Sequence, residues 1–144
     1  MPGKVKNYFT ISAIIFGLFL GGIILLADTR PPVIKFTESI PFFDKIGHFF
    51  LMGIFAFIVN MALSCKTFSV GDYNILTGST VVLALVLLEE FSQIFITYRS
   101  FSYFDILFDI LGIAAFSYLS IVTYKKLKQA GKPLDVEKID CAND

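Results

Sequence analysis

Four long apolar stretches, each bounded by polar, Gly or Pro residues, divide the chain: Tyr8 to Ala27, Ile46 to Ser64, Ile75 to Ile96 and Tyr103 to Tyr124. A helix needs about 20 apolar residues to cross a bilayer core, and each stretch is near that length. The runs are continuous rather than alternating, which predicts helices and not the strands of a membrane barrel. The pattern therefore predicts an all-α, polytopic membrane protein with four transmembrane helices. Residues 1–124 form the membrane domain and 125–144 a solvated tail. The first run exceeds the apolar core of about 7–15 residues usual in a signal peptide. The Asp28-Thr29-Arg30-Pro31-Pro32 segment after it is a poor cleavage site, so a retained helix is expected.

Composition supports the membrane reading. Hydrophobic residues make up 56% of the 144 and charged ones 17%, against roughly 45–50% and 25% in soluble domains. Twelve Lys and Arg balance twelve Asp and Glu, so neither a disordered chain nor a strongly basic nucleic-acid-binding surface is indicated. The placement of charge says more than its sum. With four spans both termini share one side, and that side collects Lys4, Lys6, Lys66, Lys125, Lys126, Lys128, Lys132 and Lys138. The other side holds Arg30, Lys35, Lys45 and Arg99. Basic flanks resist translocation, so both termini and the loop from Cys65 to Asn74 are expected in the cytoplasm. Cys65 and Cys141 then face a reducing compartment and read as free thiols.

Ionisable residues at the ends of the spans are the anomaly, because such residues are costly in a membrane and mark functional sites. Asp44, Lys45 and His48 begin the second run, Glu89 and Glu90 lie near the end of the third, and Asp105 and Asp109 begin the fourth. The predicted topology puts all of them, with Gln93 and Arg99, on the side away from the termini. Helical spacing gives each span one polar edge: Asp44 with His48, Glu90 with Gln93, and Asp105 with Asp109 and Gly112. The two Asp residues of the fourth run are expected to pair with Lys45, His48 and Arg99. Five carboxylates still outnumber two fixed cations and one His. Either some carboxyl groups carry protons, or a cation, a ligand amine or a water-filled cleft compensates them.

Ordinary readings stand beside these. Adjacent helical positions point about 100° apart, so Glu89 and Glu90 do not face one partner. Lys45 and Arg99 also suit interface anchors. Ala13, Gly17 and Gly21 form a small-residue ladder that serves packing within the chain as well as dimerisation. The far half of the bundle is read as lacking matching polar residues, which leaves a proton or ion pathway least supported. No phosphate-binding loop, His-Glu-x-x-His pair or nucleophile elbow is present, and neither Ser92 nor Ser102 is marked as a nucleophile. No metal or cofactor is assigned on these grounds.

In order and spacing these elements resemble the VanZ-like family of small bacterial membrane proteins. The segments that carry the resemblance are Asp44-Lys45-Ile46-Gly47-His48, then Glu90-Phe91-Ser92-Gln93 followed by Arg99, then Ser102, Asp105, Asp109 and Gly112. They span about Phe42 to Ser117. One departure is Asp109, where the family pattern has Asn, so an extra carboxyl replaces a neutral amide. The resemblance implies a multi-pass protein of the bacterial plasma membrane whose founding relative is associated with low-level resistance to teicoplanin. Three functions remain open. In the first, the polar cluster binds or alters a lipid or lipid-linked envelope component, with Glu90 and Asp105 as acid/base or cation-contacting groups. Arg99 then pairs with them or grips a phosphate, and Gln93 and His48 orient the ligand. The second is an intramembrane hydrolase or transferase on lipid-linked substrates, and the third a purely structural role.

Overall fold

The computed structural model describes residues 3–28, 43–94 and 102–130. These form helices α1 (Gly3–Asp28) and α2 (Phe43–Ala62), strands β1 (Thr67–Val70) and β2 (Tyr73–Leu76), and helices α3 (Thr77–Gln93) and α4 (Tyr103–Ala130). Three of the four helices contain segments long and apolar enough to cross a membrane. These are Gly3–Leu26, Asp44–Ala62 and Tyr103–Ala130, with mean hydropathies of 2.5, 1.6 and 2.0. Large apolar side chains such as Ile11, Ile15, Leu18 and Leu25 on α1 lie exposed. That outward apolar surface is what a helix facing lipid presents and a water-facing one does not.

Two boundaries differ from expectation. The third run was expected to be one helix over 75–96, but its first residues belong to β2 and α3 covers 17 residues, about 25 Å of helix. The cause is a hairpin. Phe68 pairs with Ile75 and Val70 with Tyr73 across a two-residue loop in which Gly71 takes φ +59°, a conformation a Cβ disfavours. Ile75 and Leu76 therefore extend the apolar run in composition but not in conformation. At the other end, α4 continues through Lys125, Lys126 and Lys128 to Ala130, residues assigned to the tail. Lys, Leu, Gln and Ala all favour helix, and cations suit a helix C-terminus. Residues 131–144, and Arg99 with its neighbours 95–101, lie outside the described residues.

The apolar centre of α2, α3 and α4 is Ala56, Val82, Val86 and Ile113, flanked by Met52, Phe55, Val59 and Leu83. The α2–α4 contact is the most extensive among the described elements, and two glycines permit it. A Cβ on Gly112 would collide with the Phe49 carbonyl, and one on Gly53 would come within 2.5 Å of the Phe116 ring. The two backbones thus touch where their side chains are absent. Among the described elements α1 packs most extensively on α2, through the ring pairs Phe16–Phe55 and Phe9–Phe57. Of the expected small-residue ladder, Gly17 faces Phe55 within the chain, whereas Gly21 has no neighbour within 4 Å of a Cβ position.

Candidate functional site

The first turns of α2 and α4 and the last turns of α3 meet at one end of the three-helix core. Asp44 and His48 are one turn apart on α2 and share a face, with Nε2 of His48 3.8 Å from Asp44 Oδ1. The ring's other nitrogen, Nδ1, lies 3.2 Å from each carboxylate oxygen of Asp109 on α4. Lys45 reaches Asp105, Nζ to Oδ1 3.4 Å. The expected pairing of the α4 carboxylates with Lys45 and His48 is therefore present. No position for Arg99 is described.

Glu90 on α3 is fully buried and has both oxygens occupied. The Ser102 backbone N–H donates to Oε1 at 2.8 Å, and Gln93 Nε2 donates to Oε2 at 3.0 Å. Ser102 also begins α4, since Asp105 N–H and Ile106 N–H both point to its carbonyl. A carboxylate on a backbone N–H at a helix start is favoured by the helix dipole as well as the hydrogen bond. Glu90 thus staples the end of α3 to the start of α4. Gln93 donates to Glu89 too, at 3.0 Å, so the two adjacent carboxylates share one partner, contrary to the expectation that they do not, because a side-chain amide one turn on reaches both. Ser92 donates its hydroxyl to the Glu89 carbonyl at 2.6 Å.

Burial separates the members of this cluster. Asp109 is 1% and Asp105 8% exposed, while the Asp44 side chain is 61% exposed. The cluster therefore runs from an accessible carboxylate at the rim to enclosed ones between helices. Asp105 Oδ1 has less than 1 Å² of accessible surface and no hydrogen-bond donor; the Lys45 contact is an ion pair without hydrogen-bond geometry. Beside the cluster, a groove of about 230 Å³ is lined by Gly17, Leu20, Met52, Phe55, Val86 and, towards the polar end, Glu89.

A second polar group corrects the expectation that the far half of the bundle lacks such residues. Asn60 on α2 is fully buried, and its Nδ2 donates to Ser79 Oγ at 2.9 Å and Ser117 Oγ at 3.4 Å. Ser79 and Ser117 bond each other at 2.6 Å, and Ser120 donates to the Ser117 carbonyl at 2.7 Å. Beyond them, half-burial pushes the Cys65 thiol pKa up, opposed by its hydrogen bond to Ser120. Isolated serines inside an apolar run leave hydropathy almost unchanged, which is why they were missed. The signal was their phase: Asp105, Asp109, Ile113, Ser117 and Ser120 follow one face of α4, and all are buried.

Family models, characterised proteins and solved structures were all compared with this chain, and none matches.

Proposed function

We propose that this chain is a VanZ-like integral membrane protein of the bacterial plasma membrane, with α3 and its flanks forming a fourth crossing and both termini in the cytoplasm. Its polar cluster, facing outward, binds or alters a lipid or lipid-linked envelope component, and a role in teicoplanin access follows from that position. The observation that supports this reading most is the enclosure of Glu90, Asp105 and Asp109 between helices whose outer faces are apolar. Buried charge is costly and is kept where it does something. The adjoining apolar groove ends at Glu89, so an acyl or isoprenyl chain in the groove brings its head group to the cluster. Lys45 is the fixed cation among the described cluster residues, and Arg99 is assigned the complementary role of holding phosphate.

The test is native mass spectrometry of the purified protein titrated with phosphatidylglycerol, phosphatidylethanolamine and an isoprenyl phosphate. Selective retention of one of them by the wild type, lost in Asp109→Asn, is expected. Equal retention of all three by both proteins would overturn the proposal. Labelling a single Cys at Ser102 in intact cells with an impermeant thiol reagent tests the orientation separately. A purely structural role has one observation in its favour, the stapling of α3 to α4 by Glu90. It predicts that Glu90→Gln lowers folded yield without changing lipid preference.

A further inference from the structure

At the polar end of the bundle one buried carboxylate oxygen, Asp105 Oδ1, has no hydrogen-bond donor among the described residues. One ligand atom each from Asp44, His48 and Asp105 lies within 4.8 Å of the other two. Bonds of about 2.0–2.2 Å from a single ion to nitrogen and oxygen donors place those donors roughly 3–4.5 Å apart. The three residues come from two helices, so the spacing is a product of the fold and not of one sequence motif.

Three further observations point to a cation there. The first is the orphaned Asp105 Oδ1, which belongs to a residue 92% buried and receives no hydrogen bond. A carboxylate oxygen removed from water and given no donor is strongly disfavoured unless a cation faces it. Lys45 supplies an ion pair at 3.4 Å from a side chain that is 24% exposed, which neutralises one charge without occupying the oxygen's lone pairs. The second is the setting of the histidine. Nδ1 is engaged by Asp109, which leaves Nε2 as the ring nitrogen available to an ion. That nitrogen is turned towards Asp44 at 3.8 Å, too far for a hydrogen bond and close to the separation of two ligands on one ion. A buried carboxylate behind a histidine is the usual support of a metal-binding imidazole. The third is charge: among the described residues Asp44, Glu90, Asp105 and Asp109 face Lys45 as the fixed cation, and a monovalent ion would offset less of that acidic excess than a divalent one.

We propose that Asp44, His48 and Asp105 bind one divalent transition cation of the Zn²⁺ or Mn²⁺ class, with Asp109 as the positioning residue behind His48. An imidazole among two carboxylates favours such ions over Mg²⁺ and Ca²⁺, which prefer oxygen donors alone. Three protein ligands leave coordination positions open, so the ion can accept a phosphate or hydroxyl oxygen of a bound molecule as a further ligand. In this respect the inference deepens the lipid reading, by placing a positive charge at an acidic site, and in its own test no lipid is needed.

Purified protein in detergent, stripped with a chelator, is titrated with Zn²⁺ alone and with Mn²⁺ alone by calorimetry, and Mn²⁺ binding is followed by electron paramagnetic resonance. One saturable ion per chain is expected. Asp44→Asn, at an exposed position that spares the fold, should weaken binding at least tenfold, and Asp109→Asn about 10–100-fold through the histidine. Lys45→Met should tighten it, because the ammonium competes for Asp105. Absence of saturable binding, equal affinity in Asp44→Asn, or displacement by an equal concentration of Mg²⁺ would each overturn the proposal. If the ion binds as expected while the lipid titrations show no preference, the metal site stands and the lipid reading falls. The converse result separates them the other way.

Discussion

Two buried polar groups sit on the same three helices, on either side of the apolar layer of Ala56, Val82, Val86 and Ile113. At one end Asn60, Ser79, Ser117 and Ser120 are neutral and hydrogen-bond among themselves. At the other, Glu90, Asp105 and Asp109 are ionisable; both Glu90 oxygens are hydrogen-bonded, whereas Asp105 Oδ1 has no donor among the described residues. Along α4, Asp109 and Ser117 are about 12 Å apart. The neutral group meets most of its own demands, with Asn60 Oδ1 left buried and without a hydrogen-bond partner among the described residues, and it locks α2, α3 and α4 in register. The charged group likewise leaves Asp105 Oδ1 without a donor, and function is assigned to that end because a carboxylate costs more than an amide to leave so. Low dielectric raises the cost of an unpaired oxygen at both ends, more steeply for the ionisable group.

Breaking the charged group should cost most. His48→Leu leaves Asp109 buried without its partner, and a loss of about 3–5 kcal/mol is expected in reversible unfolding of the purified protein. Replacing both residues by Leu should restore most of that loss, since an apolar pair of similar volume is nearly neutral. A double variant as unstable as the single one would show that Asp109 has other partners. Next comes Glu90→Gln, which removes the charge from the bond to Ser102 N–H and should cost about 1.5–3 kcal/mol in the same assay. In the neutral group, Ser117→Ala should cost about 0.6 kcal/mol, the average for a hydrogen bond between membrane helices. A loss as large as that of His48→Leu would erase the distinction between the two ends. The smallest effect is chemical. The upward shift of the Cys65 thiol leaves less thiolate at neutral pH, so maleimide should label Cys65 more slowly than an exposed control cysteine, the rate rising until pH passes the raised value.

Much of the helical framework was legible in the chain. The runs at 8–27, 46–64 and 103–124 fall within or within two residues of α1, α2 and α4, because helix length and apolar composition are both set by bilayer thickness. The hairpin was not read, although Phe68, Val70, Tyr73 and Ile75 alternate with Thr67, Ser69, Asn74 and Leu76 around Gly71. A short alternating segment next to a long apolar run is absorbed by any window wide enough to find the run. In the cluster, spacing correctly grouped Asp44 with His48 and Glu90 with Gln93, since those pairs lie within one helix. That Asp109 chooses His48 and Asp105 chooses Lys45 depends on how α2 crosses α4. Nothing local encodes it. The bond from Ser102 N–H to Glu90 belongs to the backbone, which side-chain patterns do not show.

The approach of Gly112 to the Phe49 carbonyl sets the spacing of α2 and α4 beside the cluster. His48 stands one residue before that contact on α2, and Asp109 three residues before it on α4. The reach from ring to carboxylate is therefore gauged by a backbone contact and not by the two side chains alone. A methyl group at position 112 would wedge the helices apart there and lengthen that reach, so a missing atom acts as the spacer of the cluster.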